Sequence, residues 1–153
     1  MIYKIDNGQE TPLITQPDGF KSIYKYSNLV HYAYLDVTVT GTINVTTYQF
    51  AVNGRNGDCG IFGLGTTDAS VFSESWCIWF KKTYEQEIMG AKKINNNQWR
   101  IFFKSRNYCN MGFTPLFAGV KSMFISDYTN KPWESTDWDV PCHNKIVVTE
   151  EAK

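Results

Sequence analysis

The amino-acid sequence predicts an all-β domain, an antiparallel β-sandwich or jelly roll of about eight to ten short strands. Three observations carry that prediction. Aromatic residues make up 16% of the 153 residues, as nine Tyr, ten Phe and five Trp, and with the many Thr and Val they favour the pleated, half-buried surface of a strand. Long runs of Ala, Leu, Glu and Lys, which would favour helices, are missing. Turn signals also recur at roughly 8- to 12-residue spacing between short β-prone runs.

Residues 1–19 contain two prolines and lead into Pro17-Asp18-Gly19-Phe20, a turn in which Pro17 fixes φ and Gly19 accepts positive φ. An extended N-terminal arm or first strand is expected before it. From Phe20 to Thr40 the chain reads as one or two strands. Leu29, Ala33, Leu35, Val37 and Val39 share one parity and form an inward face, while Val30, Tyr32, Tyr34, Asp36, Thr38 and Thr40 form the other. Thr40-Gly41-Thr42 reads as a tight turn from which "INVTTYQFAV" returns as the antiparallel partner of the preceding strand. Residues 53–65 hold two Asn-Gly pairs and five glycines. They lack the order of a phosphate-binding loop and read as turns linked to a short strand.

Ser70 to Lys82 and Gln98 to Ser105 are strongly β-prone. Between them, "TYEQEIMGAKKI" has the only helical colouring, yet it is short, broken by Gly90 and compatible with a strand that completes a meander through the Asn-rich turn at 92–97. Val120, Met123 and Ile125 fit a further strand. The polar stretch "TNKPWESTDWDVPCHN" reads as a loop, and Lys145 to Thr149 as a terminal strand. No internal repeat, charge block or linker divides the chain, so residues 1–153 are expected to form a single domain.

Fifteen basic and fifteen acidic residues cancel, so no net field draws the chain to nucleic acid or to an anionic membrane surface. No apolar run is long enough to insert in a bilayer. "MIYKIDNGQE" carries no apolar signal core, which predicts synthesis in a cytosol without a signal peptide and makes the Asn44-Val45-Thr46 sequon an accidental match. Cys59, Cys77, Cys109 and Cys142 lie far apart, without the paired spacing of a zinc site, and read as small buried hydrophobes; one or two disulfides stay open for an oxidising exterior. No metal or cofactor is expected. His31 falls on the inward parity and reads as a core or interface histidine. Cys142 and His143, as strand neighbours, point to opposite faces and cannot act as a nucleophile and base pair.

Two groups of residues stand out. In the polar stretch, Trp133 and Trp138 flank Glu134, Asp137 and Asp139. A ring that stacks on a sugar beside an acid that accepts its hydroxyl hydrogen bonds is how saccharide sites are built, which makes Trp133, Asp137 and Trp138 the candidate ligand-binding residues. A solvated connector, a carboxylate pair for glycoside hydrolysis and a calcium loop are the other readings of the same stretch. The second group is Tyr26, Val30, Tyr32 and Tyr34, an apolar face beyond the one that a single core accounts for. It is expected to be covered, first by another subunit and otherwise by the N-terminal arm or a long loop.

One segment, "DGFKSIYKYSNLVHYAYLDVTVTGTI", resembles the opening of the head domains at the C-termini of bacteriophage tail-fibre and receptor-binding proteins. Asp18-Gly19-Phe20, Tyr24-Lys25-Tyr26, Asn28-Leu29-Val30, Leu35 and Thr40-Gly41 occupy the places of the recurring pattern, over about 25 residues. The resemblance implies a β-sandwich that assembles as a homotrimer in a virion, made in the bacterial host cytoplasm, and that binds a surface saccharide or protein receptor without enzymatic activity. A structural virion or baseplate interaction protein is the alternative. A small carbohydrate-active hydrolase using Asp137, Asp139 or Glu134 is the second.

Overall fold

The computed structural model describes residues 3–6, 9–12, 23–27, 31–43, 47–54, 57–68, 71–83, 86–105 and 109–147. They form twelve strands, β1 (Tyr3–Asp6), β2 (Gln9–Pro12), β3 (Ile23–Ser27), β4 (His31–Val39), β5 (Thr47–Gly54) and β6 (Cys59–Asp68), then β7 (Val71–Lys81), β8 (Glu87–Asn95), β9 (Gln98–Ser105), β10 (Cys109–Pro115), β11 (Val120–Ile125) and β12 (Val140–Ile146). The all-β expectation holds. β1 and β2 pair as a hairpin, and the other ten strands form one ladder in the order β11-β4-β9-β8-β12-β7-β6-β5-β10-β3. Its two ends, β11 and β3, come side by side, so the ladder rolls into an almost closed sandwich around one core.

The inward faces follow the strand period of two. On β4, Ala33, Leu35, Val37 and Val39 are buried and the residues between them are only half covered, as the parity of the sequence predicts. They face Phe50, Val52, Phe62, Leu64, Cys77, Trp79 and Phe113 from the other half of the roll. Trp99, fully buried, is the aromatic hub: Tyr48 lies 4.3 Å away, Phe117 6.0 Å, Phe50 6.4 Å and Phe72 6.5 Å, centroid to centroid. Tilted and edge-on pairs of this kind suit the ring quadrupole and add to the burial of each large side chain.

Three local expectations are corrected. Thr40-Gly41-Thr42 is not a hairpin turn, because β4 pairs with β9 and β11 whereas β5 pairs with β6 and β10. Gly41, at φ 80°, instead carries the chain between the two halves. The backbone groups here bond to other loops, Thr40 N to Gly119 O at 2.7 Å and Ile43 N to Asn96 O at 2.8 Å, which is why a local pairing rule fails. The glycine-rich stretch is largely strand: Gly60, Gly63 and Gly65 all lie within β6, and at Gly60 and Gly63 neighbouring groups leave no room for a Cβ. At Gly60 such a carbon would collide with the Ile78 carbonyl. The terminal strand begins earlier than expected, at Val140, and takes in the end of the supposed loop.

β12 also departs from a purely antiparallel arrangement. It pairs antiparallel with β8 through Val140 and Pro141, and parallel with β7 from Cys142 to Ile146. Its side chains complete the join. The Asn144 amide donates to Ile88 O at 2.7 Å, and its Oδ1 accepts the Trp79 indole N–H at 3.0 Å, supplying to β8 a bond that a backbone group would make in a regular ladder. Ser75 Oγ donates to Pro141 O at 2.9 Å on the other side. β12 is therefore the seam between the half formed by β11, β4, β9 and β8 and the half formed by β7, β6, β5, β10 and β3.

Candidate functional site

The tryptophan-rich stretch is a strap that crosses the outside of the first half. It leaves β11 alongside β4, where Tyr34 N donates to Ser126 Oγ and Ser126 N to Tyr34 O, both at 2.9 Å, and Tyr32 and Thr129 exchange backbone bonds of 2.9 Å. It then passes over β4, β9 and β8 before it enters the seam as β12. Two tryptophans hold it down. The Trp133 indole N–H donates to Ala33 O at 3.0 Å and Phe103 O at 3.2 Å, bridging β4 and β9, while the ring packs edge-on against Phe102 at 5.0 Å and beside Tyr34 at 6.3 Å. Trp138 lies against Gly90, where a Cβ would sit 2.6 Å from Cδ2 of the indole.

The result is a second, smaller apolar cluster on the outer face. Phe102 points away from the main core, as its parity on β9 requires, yet is only 4% exposed because Trp133 and Trp138 cover it. Beside it, Arg100 lies across the Tyr34 ring with Cζ 3.7 Å from the centroid and holds Asp36 through two bonds, Nε to Oδ1 at 2.8 Å and Nη2 to Oδ2 at 3.1 Å. That pairing pushes the Arg100 guanidinium above its usual pKa range. Phe124 on β11 extends the cluster, 6.4 Å from Tyr34, and is 56% exposed.

The Asp137 and Asp139 carboxylates of the strap have structural partners, and Glu134 joins through its backbone. Asp137 Oδ2 accepts Glu134 N at 2.7 Å and Asp137 N donates to Glu134 O at 2.8 Å, closing a tight turn. Asp139 N donates to Ala91 O at 2.9 Å, and its Oδ2 accepts Lys93 N at 3.0 Å, which docks the strap on β8. The structure thus gathers Trp133, Asp137 and Trp138 on one face, but each has a packing or hydrogen-bonding task of its own. Tyr32 and Tyr34 are half-buried, and the cover over Tyr34 comes from the strap of the same chain. Tyr26 lies apart from them on β3, and Val30 lies outside the described residues. His31 opens β4 opposite Ser105. Asn44-Val45-Thr46 and the Pro17-Asp18-Gly19-Phe20 turn are outside the described residues.

Cys77 is buried and Cys142 half-buried against the core, whereas Cys59 is exposed, against expectation; all three are free thiols. Burial raises the Cys77 thiol well above its ordinary pKa and pushes Cys142 up to about 12. His143 is exposed on the face opposite Cys142. Among the described residues, no three His, Cys, Asp or Glu side chains converge on a point that could hold a metal ion, and no helix is long and apolar enough to cross a membrane.

The outer face of the second half is built differently. On β7 the inward residues are Ser75, Cys77 and Trp79, so Trp76, Ile78 and Phe80 point outward. Trp76 stands opposite Gly63 on β6, which stands opposite Gln49 on β5, while His143 on β12 flanks Trp76 from the other side. A Cβ on Gly63 would lie 2.5, 2.7 and 2.9 Å from Cζ2, Cε2 and Cη2 of the Trp76 indole. Such near-equal distances arise when the ring lies face-down on the glycine, since an edge-on approach would leave the neighbouring atoms much farther than the nearest one. Trp76 escapes a reading of the sequence because its neighbour across the ladder is fixed by the β6–β7 register. The signal is the spacing of Gly63 and Gly65, two same-face positions without side chains. Compared with family models, curated proteins and solved structures, the chain matches none of them.

Proposed function

We propose that the chain is a non-enzymatic binding module, a receptor-binding head of the bacteriophage tail-fibre type that attaches to a saccharide or protein receptor on a bacterial surface. The observation that carries this reading is the fixed outer-face cluster of Tyr34, Phe102, Phe124, Trp133 and Trp138. Aromatic side chains locked in place before a partner arrives lose little conformational freedom on binding and offer both apolar faces and polar rims. The strap presents the Glu134–Asp137 turn beside them, with Ser135 and Thr136 exposed. Trp133, Asp137 and Trp138 serve this surface by holding the turn and offering their outward edges.

The resemblance of residues 18–41 to tail-fibre heads supplies the partner class and the trimer; of the expected subunit contact Tyr26, Val30, Tyr32 and Tyr34, the strap takes Tyr34, which leaves the other three to that role. Adsorption of the purified chain to a panel of bacterial cells tests the binding role. Trp133→Phe, Trp138→Phe and Phe124→Ser should each weaken adsorption by about tenfold, the loss expected of a central aromatic contact. Unchanged adsorption in all three variants removes the site assignment. Light scattering of the wild-type chain tests the assembly, and a mass of one chain at micromolar concentration overturns the trimeric head.

A further inference from the structure

We propose that the outer face of β7, β6 and β5 is a second binding surface, a saccharide-stacking subsite whose platform is Trp76 and whose polar ends are Gln49 and His143. It rests on the reading above and deepens it by naming a subsite and its ligand chemistry. The platform comes first. With its inner face on Gly63, the indole presents its other face to solvent, and the ring is only half-buried. A pyranose has one face rich in C–H groups, which stacks on such a surface, and a rim of hydroxyls that seeks donors and acceptors.

The rim is matched by what surrounds the ring. His143, Trp76, Gly63 and Gln49 form one row across four adjacent strands. At the spacing of neighbouring strands, the row spans roughly 14 Å between its polar ends, long enough for a sugar on the ring with a second unit beside it. Gln49, His143 and Glu74 are all exposed, and among the described residues none of their side chains is engaged by another. Glu74 stands opposite Gly65, one outward position along β7 from Trp76, and adds an acceptor. An imidazole, an amide and a carboxylate around one ring suit the hydroxyls of a neutral sugar. Cross-strand stacking of a ring on glycine also stabilises a strand, but that accounts for the inner face of Trp76 alone.

The test uses the whole chain on a glycan array, followed by saturation-transfer NMR with methyl glycosides of glucose, galactose and N-acetylglucosamine. Trp76→Ala and Gly63→Ala, the latter displacing the ring without removing it, should each lower array binding by about tenfold or more. Gln49→Ala and His143→Ala, exposed changes that leave the fold intact, should lower it about fivefold, as loss of one hydrogen bond does. Array binding unchanged across these variants overturns the subsite, as does a wild-type chain that binds no glycan. A fall in solution mass on Trp76→Ala also overturns it, because the ring would then be a contact between copies. Adsorption to bacterial cells separates the two readings. If Trp76→Ala adsorbs as well as wild type, the subsite falls and the binding module stands; if wild type adsorbs to no cell, the binding module itself falls.

Discussion

The two outer faces of the roll use the same device to different ends. On each, a tryptophan lies against a glycine, Trp138 on Gly90 in the first half and Trp76 on Gly63 in the second. Trp138 arrives from a strap that continues over Phe102 and into β12, so its ring is one tile of a cover. Trp76 arrives from the neighbouring strand, and His143, Gln49 and Glu74 around it stay in solvent. The difference shows that a ring on glycine by itself identifies neither a core nor a site. Both rings are half-buried; what differs is that the strap carrying Trp138 is tied down on either side of it, whereas Trp76 stands on a strand among exposed polar neighbours.

Measurements of stability can break that contrast. The largest effect is expected from Trp133→Ala, which uncovers Phe102, removes both hydrogen bonds to the sheet and should cost about 3 kcal/mol in urea unfolding. Trp76→Ala should cost about 1 kcal/mol, since its ring is covered on one side only. Equal losses would mean that the second face is closed as firmly as the first. Next in size is the pair of glycine substitutions. Gly90→Ala drives a methyl into a ring that the strap prevents from leaving, and should cost about 2 kcal/mol. Gly63→Ala meets a ring with room to swing outward and should cost less than about 1 kcal/mol beyond the gain in strand propensity; reversal of that order would refute the description of Trp76 as unconfined.

At neutral pH the smallest effects concern the seam between the halves. Cys77 and Cys142 have thiol pKa values raised by burial in the folded chain, so the folded state holds protons that the unfolded state releases. Stability should therefore be unaffected by these groups below about pH 9 and should fall as pH rises from there toward about 12. Urea midpoints across that range, with Cys142→Ala for comparison, test the sign. Brief alkylation of the native chain at neutral pH should label Cys59 and leave Cys77 and Cys142 unmodified. Rapid labelling of Cys142 would show that the seam opens readily.

Much of the fold is legible in the sequence where burial has a simple period. The inward face of β4 and the extent of β9 follow from alternation and β-propensity, whereas β8 has helical colouring in the sequence and is only compatible with a strand there. The pairing of β4 does not. Residues 40–42 look like a hairpin turn because only neighbours in sequence are visible there, whereas the partners of β4 lie near residues 100 and 123. The outer apolar face of the same strand is visible as an anomaly, Tyr32 and Tyr34 where one core needs only polar residues. A long loop is among the covers expected there, after another subunit, and the strap over Tyr34 is such a loop; which loop it is stays hidden, since a strap is recognised by where Trp133 lands, not by its composition. Trp76 was hidden for the related reason that glycines in a strand read as breaks until the ring above them is known.

The seam has a consequence for how the chain reaches this state. β7 and β8 can each pair with partners that precede β12, β7 with β6 and β8 with β9, but they meet through β12, whose residues lie 67 positions after their partners on β7. During synthesis both halves therefore form while their facing edges are still unpaired, a template for pairing with other chains. Long-range and partly parallel closure is slow compared with hairpin formation. β12, the last of the described strands to emerge, is the latch between the halves, and until it closes their unpaired edges are open to aggregation.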